Sequence, residues 1–121
     1  MDDLVQWLGE QLDEDERIAR AAHEPNWSTD GRRGIHYGVE DGWMADALTT
    51  GDADHIACHD PARVLREIEA KRRIIEGHKR YAAERRRMMG GWDPQSNDSP
   101  ILAALASVYA DRPGYREEWR P

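Results

Sequence analysis

The chain has 121 residues, which is room for one domain, because a second independent core would need roughly another 50 to 100 residues. Its formal charge is -7, from 24 acidic and 17 basic side chains, which argues against a surface built for indiscriminate phosphate binding. A single cysteine excludes an intramolecular disulfide scaffold, so we expect a cytoplasmic protein, and no apolar run approaches the roughly 18 residues that would span a membrane.

The N-terminal half of the chain predicts one helix followed by a small sheet. The opening aspartates can cap a helix of about 20 residues, which ends at Pro25. Short apolar alternations follow, and Asp-Gly pairs at 30–31 and 41–42 separate them as tight turns require. We therefore expect a three-stranded antiparallel meander. Its strands begin at Trp27, run from Ile35 to Val39, and run from Trp43 to Leu48.

The segment after Gly51 predicts two helices that meet near residue 60. Asp52 or Asp54 can cap the first, which is short. Asp60 is a good cap for the second, and Pro61 is favoured at a first helical position. This second helix is predicted to be the main core helix. Its apolar stripe holds Val64, Leu65, Ile68, Ile75 and Ala82, with Ile74, Tyr81 and Met88 at seven-residue intervals beside it.

The end of the chain predicts a loop, a last helix and a tail. Residues 90–99 are rich in Gly, Pro, Ser, Asn and Asp, and we expect them to form a flexible loop. Ser99 and Pro100 then open the C-terminal helix. The tail, residues 111–121, carries a tyrosine and a tryptophan four residues apart, so we expect it to pack back on the body of the protein.

These elements together predict one small α+β domain over residues 1–121. Its order is an N-terminal helix, a small three-stranded antiparallel meander, a short helix, a long helix and a C-terminal helix. A meander of this size is marginal alone and needs helices against one face. The chain has no Phe, so Trp and Tyr supply all aromatic burial. We expect Tyr37, Trp43 and the apolar helix faces to form the core.

Three strings of the sequence resemble a known family. They are DDLVQWL at 2–8, HDPARVL at 59–65 and PGYREEW at 113–119. The chain resembles, through them, a family of small proteins from actinobacteria and their phages that has no assigned activity. The resemblance implies a phage or mobile-element context. It transfers no catalytic or binding residue.

One cluster has the side-chain types that ligate metals. His55, Cys58 and His59 fall within five residues, and on a helix positions 55 and 59 lie one turn apart on one face. Two imidazoles and a thiolate at that spacing suit zinc or another divalent transition metal. A missing ligand would come from His36 or His78. The alternative is structural, with half-buried histidines, a small core cysteine and no cofactor.

Charge is unevenly divided along the chain. Residues 1–60 hold 4 basic and 15 acidic side chains, whereas residues 63–87 hold 10 basic and 4 acidic ones. Ion pairs within the chain explain most of these charges. The alternative is an anion site for nucleic acid or a phosphorylated ligand. This predicted anion site consists of Arg80, Arg85, Arg86 and Arg87.

No nucleophile, base and orienting residue are visible together in the sequence, so no catalytic residue is predicted. We therefore expect a non-enzymatic interaction or accessory module that binds an unidentified protein. Its complementary charged segments also suit a homodimer. Metal binding through the histidine cluster and anion or nucleic-acid binding through the helix at 63–87 are the alternatives. Nucleic acid is the less favoured partner, and no membrane is expected.

Overall fold

The computed structural model describes residues 3–38, 42–88 and 99–121. It confirms the predicted α+β class, with one helix, a three-stranded antiparallel sheet and then further helices. The elements are α1 (Asp3–Ala21), β1 (Trp27–Thr29), β2 (Gly34–Tyr37), β3 (Trp43–Asp46), α2 (Thr50–Cys58), α3 (Pro61–Met88), α4 (Pro100–Ser107) and a 3-10 turn at Glu117–Trp119. Of the loop predicted over 90–99, all but Ser99 lies outside the described residues.

The chain forms two compact units. Asp15–Ile68 forms one, which we call the sheet unit; Met1–Glu14 and Glu69–Pro121 form the other, which we call the helical unit. The divisions between them fall within α1 and α3.

The sheet unit is organised around the predicted meander, whose strands are in the order β1-β2-β3 and are antiparallel. Gly31 adopts a φ of +80° in the turn between β1 and β2, a conformation that favours glycine. The carboxylate of Asp30 accepts hydrogen bonds there from the backbone N–H groups of Arg32 and Gly34, at 2.8 and 3.2 Å. Helix α2 packs against β1 and β2. The buried apolar side chains of this unit are Ala19, Ile35, Ala53 and Ile68.

The start of α3 confirms the predicted cap. Asp60 Oδ1 accepts a hydrogen bond from the backbone N–H of Arg63 at 2.9 Å, and Pro61 is the first helical residue. Asp60 Oδ2 accepts a second bond, from the backbone N–H of Trp27 at 3.1 Å. The same carboxylate therefore caps the helix and ties it to the first strand.

The predicted cap of α2 is wrong. Thr49 is the cap, and its Oγ1 accepts a hydrogen bond from the backbone N–H of Asp52 at 3.0 Å. Asp52 thus lies inside the first turn, where a carboxylate is favoured by the helix dipole, and does not supply the capping oxygen. Asp54 lies further along the helix.

The helical unit buries one face of α1 and one face of α4. Ser99 caps α4, as predicted, by accepting a hydrogen bond from the backbone N–H of Leu102 at 3.2 Å. Trp119 in the tail is 2% exposed, and its ring centroid lies 5.4 Å from that of Trp7 on α1. The other buried apolar side chains of this unit are Leu4, Leu8, Leu12, Ile75, Leu102, Ala103, Ala106 and Tyr109.

Two predicted parts of the core are exposed. Trp43 is 62% exposed, because it lies on the terminal strand of the sheet, where its Nε1 donates to Asp46 Oδ1 at 3.1 Å. Ile74, Tyr81 and Met88 are 42, 57 and 80% exposed, although they lie on the long helix that was predicted to be the main core helix. The buried stripe of α3 covers Ile68 and Ile75, and Tyr37 is half-buried.

Candidate functional site

The two histidines of the predicted metal cluster lie side by side at the end of α2. Their ring centroids are 4.3 Å apart, and both side chains are exposed. The Nδ1 of His59 lies 2.8 Å from the carbonyl oxygen of His55. Because a carbonyl can only accept, Nδ1 carries the proton and donates this bond. In the neutral imidazole, the Nε2 of His59 then holds a lone pair, which is the arrangement found in many metal-ligating histidines.

Cys58 lies between these histidines in the sequence and is exposed, so the predicted alternative of a buried core cysteine is wrong. Its Sγ accepts a hydrogen bond from Arg63 Nη1 at 2.8 Å, and Arg63 Nε donates to Glu67 Oε1 at 2.9 Å. The hydrogen bond to Glu67 and, after it, the electrostatic interaction with Cys58 raise the pKa of Arg63 above its ordinary value. The thiol is therefore paired with a guanidinium group.

No complete ligand set surrounds the histidine pair in the described parts of the chain. Across residues 3–38, 42–88 and 99–121, no group of three or more His, Cys, Asp or Glu side chains is placed to hold a metal ion. His36 Nε2 lies 3.8 Å from Asp30 Oδ2, and His78 lies on α3 with its Nε2 buried. The pair at 55 and 59 offers two imidazoles.

The four arginines of the predicted anion site all lie near the C-terminal end of α3. An α-helix turns by about 100° per residue, so Arg80 and Arg87 share one face, while Arg85 and Arg86 lie on others. Arg85 stacks over the ring of Tyr81, with 5.7 Å between the guanidinium carbon and the ring centroid. The helix therefore brings two of the four together and spreads the rest around its axis.

Other basic side chains of α3 form ion pairs within the helical unit. Arg72 Nη2 lies 2.7 Å from Asp13 Oδ1 on α1. Arg73 Nε lies 3.0 Å from Glu69 Oε1, one helical turn earlier. Lys79 Nζ lies 3.3 Å from Glu76 Oε1. All three pairs are solvent-exposed, so each contributes about 0 to 1 kcal/mol to stability.

One exposed apolar feature of the helical unit is a row on α3. We call Ile74, Tyr81 and Met88 the exposed row, because they recur every seven residues and all three are exposed. The rise of 1.5 Å per residue makes the row about 21 Å long. The seven-residue spacing predicts this row but not its exposure, since the buried and exposed rows are both apolar and lie side by side.

The exposed row has the seven-residue spacing of the a positions of a pairing helix, although its d positions are not apolar. With Ile74, Tyr81 and Met88 at a positions, Gly77 and Glu84 fall at d positions. The g positions, which flank such a seam, are then all arginine, and the e positions on its other side are basic or titratable. The g residues are Arg73, Arg80 and Arg87, and the e residues are His78 and Arg85.

A cleft of about 300 Å³ lies in the helical unit, between α1 and the tail. Two of its charged groups pair with each other, since Arg116 Nη1 lies 3.1 Å from Asp3 Oδ2, and the Arg116 guanidinium stacks over the ring of Trp119 at 5.2 Å. The Nε1 of Trp119 is buried and has no hydrogen-bond partner among the described residues. Arg116 thus covers the aromatic floor of the cleft.

The chain matches a known protein family. The model of a family of unknown function (DUF6221) matches residues 1–121. The chain belongs to this family. The match spans the three strings that carry the resemblance, and it confirms a family without an assigned activity. No curated protein and no solved structure matches the chain.

Membership of DUF6221 brings no residue roles, so the roles of individual side chains rest on their geometry. One general property follows from the helices themselves. In the parts of this family member that the structure describes, no helix is both long and apolar enough to cross a membrane.

Proposed function

We propose that the protein is a non-enzymatic interaction module that acts by binding another protein, as an accessory factor in a phage or mobile-element setting. The observation that carries the proposal is the exposed row on α3. Three large apolar side chains that face solvent along one helix cost free energy in water, and burying them against a partner recovers roughly 25 cal/mol per Å² of apolar area. Exposed apolar patches mark interaction sites, and the row places three large apolar side chains on one face of the helix.

The form of the row also supports a protein partner. Amphipathic helices dock through anchors spaced by three, four and seven residues, and the exposed row has the seven-residue spacing. Tyrosine and methionine are enriched at such interfaces, because one is rigid and amphipathic and the other adapts its shape. The row therefore supplies anchors for a helical surface of another chain.

Site-specific photocross-linking tests this proposal. A benzophenone amino acid replaces Tyr81 in the full-length protein, and in a matched control it replaces Arg32, which is exposed in the turn between β1 and β2. In the native host, position 81 is expected to give a discrete protein adduct that position 32 does not give. The adduct should disappear when Ile74→Asp is added. The proposal is overturned if positions 81 and 32 give equal labelling, or if Ile74→Asp leaves the adduct at position 81 unchanged.

The histidine pair favours a second function, and we propose it as an alternative: binding of zinc or another divalent transition metal through His55 and His59. The supporting observation is the hydrogen bond from His59 Nδ1 to the carbonyl of His55, which orients the ring and leaves Nε2 as a ligand. Two imidazoles form an incomplete set, so water would complete the coordination.

A further inference from the structure

We infer that the exposed row on α3 binds an acidic amphipathic helix of a partner protein. The inference rests on the proposed function and specifies the chemistry of the partner. It is drawn from the charges beside the row, from the glycine within it and from the poor fit of a second copy of the chain.

The charges beside the row are mostly basic, with one acidic side chain, Glu84, at the d position between Tyr81 and Met88. Residues 69–88 hold eight basic and three acidic side chains, which gives a net charge of +5. In paired helices, side chains at e and g form the ion pairs that determine partner choice and orientation. Here every g position is arginine, so a partner helix carrying Glu or Asp at its flanking positions is complementary.

Two of the three g arginines are available for such pairs. Arg80 and Arg87 are exposed, and within the described part of the chain neither forms an ion pair. Arg73 forms one with Glu69, in which its side chain is still 80% exposed. Exposed pairs of this type are weak, so exchanging Glu69 for a partner carboxylate costs little.

Gly77 gives the row a shallow notch. It occupies the d position between Ile74 and Tyr81, and a Cβ added there would meet no atom within 4 Å in the described structure. Glycine inside a helix is destabilising relative to alanine, and packing against residues 3–38, 42–88 and 99–121 does not account for it here. A partner helix can approach the backbone of α3 closely at this point.

A second copy of the chain fits this surface poorly. In a parallel pair of α3 helices, the arginines at g lie opposite the basic or titratable residues at e. In an antiparallel pair, the arginines at g lie opposite one another. Like charges therefore meet in both arrangements. The exposed acidic side chains of α1, which include Glu10, Asp13 and Glu14, are accompanied on the described helix by one large exposed apolar residue, Ile18. Helix α1 of a second copy would therefore offer one anchor to the three residues of the exposed row.

A helical-peptide library tests the inference with the full-length protein. Peptides of three heptads carry Leu, Ile or Met at their a and d positions, and each e and g position is Glu, Lys or Gln. We expect selection to enrich Glu at the flanking positions. The affinity of a selected peptide, measured by fluorescence anisotropy, should fall with added salt.

Paired variants identify the surface that the peptide uses. Arg80→Glu with Arg87→Glu should weaken binding by about tenfold or more, which corresponds to roughly 1.4 kcal/mol. Arg32→Glu with Arg33→Glu makes the same charge change in the sheet unit and should alter the affinity less than about twofold. Tyr81→Ser should weaken binding without a change of charge. All these side chains are exposed, so the variants are expected to fold, and circular dichroism checks this.

The other outcomes separate the inference from the proposed function. If the selected peptides depend on Tyr81 but carry Lys or Gln at their flanking positions, the inference of an acidic partner is overturned. The proposed function, docking of a helix of another protein, then still stands. The third outcome is that no selected peptide depends on Tyr81, while an oligonucleotide binds at low salt and needs Arg80 and Arg87. That result overturns both the inferred acidic helix and the proposed protein partner, and it favours nucleic acid. If the protein forms a concentration-dependent dimer and Tyr81→Ser abolishes it, the row binds a second copy of the chain. That result overturns the inference of a separate partner protein.

Discussion

Gly114 lies directly against the indole of Trp7 in the helical unit. Its φ is +91°, and a Cβ added to it would lie 2.5 Å from Nε1 of Trp7. The same Nε1 donates a hydrogen bond to the carbonyl oxygen of Pro113 at 3.1 Å. The turn before the tail therefore needs a residue with no side chain, both for its backbone conformation and for the close approach of the indole.

Replacing this glycine should destabilise the protein strongly. We expect Gly114→Ala to lower the free energy of unfolding by about 2 to 4 kcal/mol, because the left-handed backbone strain of roughly 1 to 2 kcal/mol is joined by overpacking against Trp7. Gly31→Ala is the matched control, since Gly31 also has a positive φ but has open space around it. Gly31→Ala should lower the free energy of unfolding only by the amount that backbone strain contributes. Urea denaturation measures both variants. Equal losses of unfolding free energy in Gly114→Ala and Gly31→Ala would contradict the steric role of Trp7.

Burial of the tail gives a second prediction. Trp119→Ala removes a ring that is 2% exposed and should cost about 3 to 5 kcal/mol. Trp43→Ala removes the same side chain from a site where it is 62% exposed, so it should cost less than about 1 kcal/mol. Thermal unfolding measures both. Similar losses in the two variants would show that the tail does not contribute to the folded core.

The turn between β1 and β2 should respond to acid. The hydrogen bond from the backbone N–H of Arg32 holds the pKa of Asp30 below its ordinary value of 3.8, with desolvation opposing and the N–H of Gly34 adding to the effect. Because the pKa is lower in the folded chain than in the unfolded chain, the ionised carboxylate stabilises the fold above pH 3.8, and this contribution is lost as the pH falls through the folded value.

Asp30→Asn is therefore expected to lower the melting temperature at neutral pH, and the difference from the wild type should shrink as the pH falls below 3.8. Thermal melts followed by circular dichroism across this range provide the measurement. A difference that stays constant at every pH would mean that the charge of Asp30 does not stabilise the turn.

The histidine pair leads to a prediction about metal. If His55 and His59 bind a divalent transition metal, the wild type should take up one zinc or nickel ion in calorimetric titration and in native mass spectrometry. His55→Ala or His59→Ala should abolish this uptake. Cys58→Ser should retain it, because the thiol is engaged by Arg63. His23→Ala is the control, and uptake that is unchanged in both histidine variants would end the metal proposal.

Local signals predicted the elements well. Asp60 with Pro61 and Ser99 with Pro100 open helices where the sequence predicted them, since a capping oxygen and a proline act over only a few residues. The cap of α2 was wrong because several oxygen-bearing residues lie within one turn there. Thr49 has the extended backbone that a cap requires, and composition does not reveal that conformation.

The candidate site was predictable only in part. The spacing of His55 and His59 placed their rings together, because helical periodicity is a local property. The bond from Arg63 to the Cys58 thiol depends on how α2 ends and α3 begins, which the sequence does not define. Ile74, Tyr81 and Met88 could be recognised as a row by spacing, but periodicity alone does not tell a buried row from an exposed one.

The sequence by itself determined the α+β class, the order of the elements and most of their caps, because these follow from contacts within a few residues. Only the tertiary structure decided which apolar surfaces are buried. Ile75 and Tyr81 belong to two neighbouring apolar rows on α3, which are separated by about 100° around the helix axis. Ile75 is nevertheless 6% exposed, whereas Tyr81 is 57% exposed. Burial depends on which elements pack against a helix, and those contacts join residues that are distant in sequence.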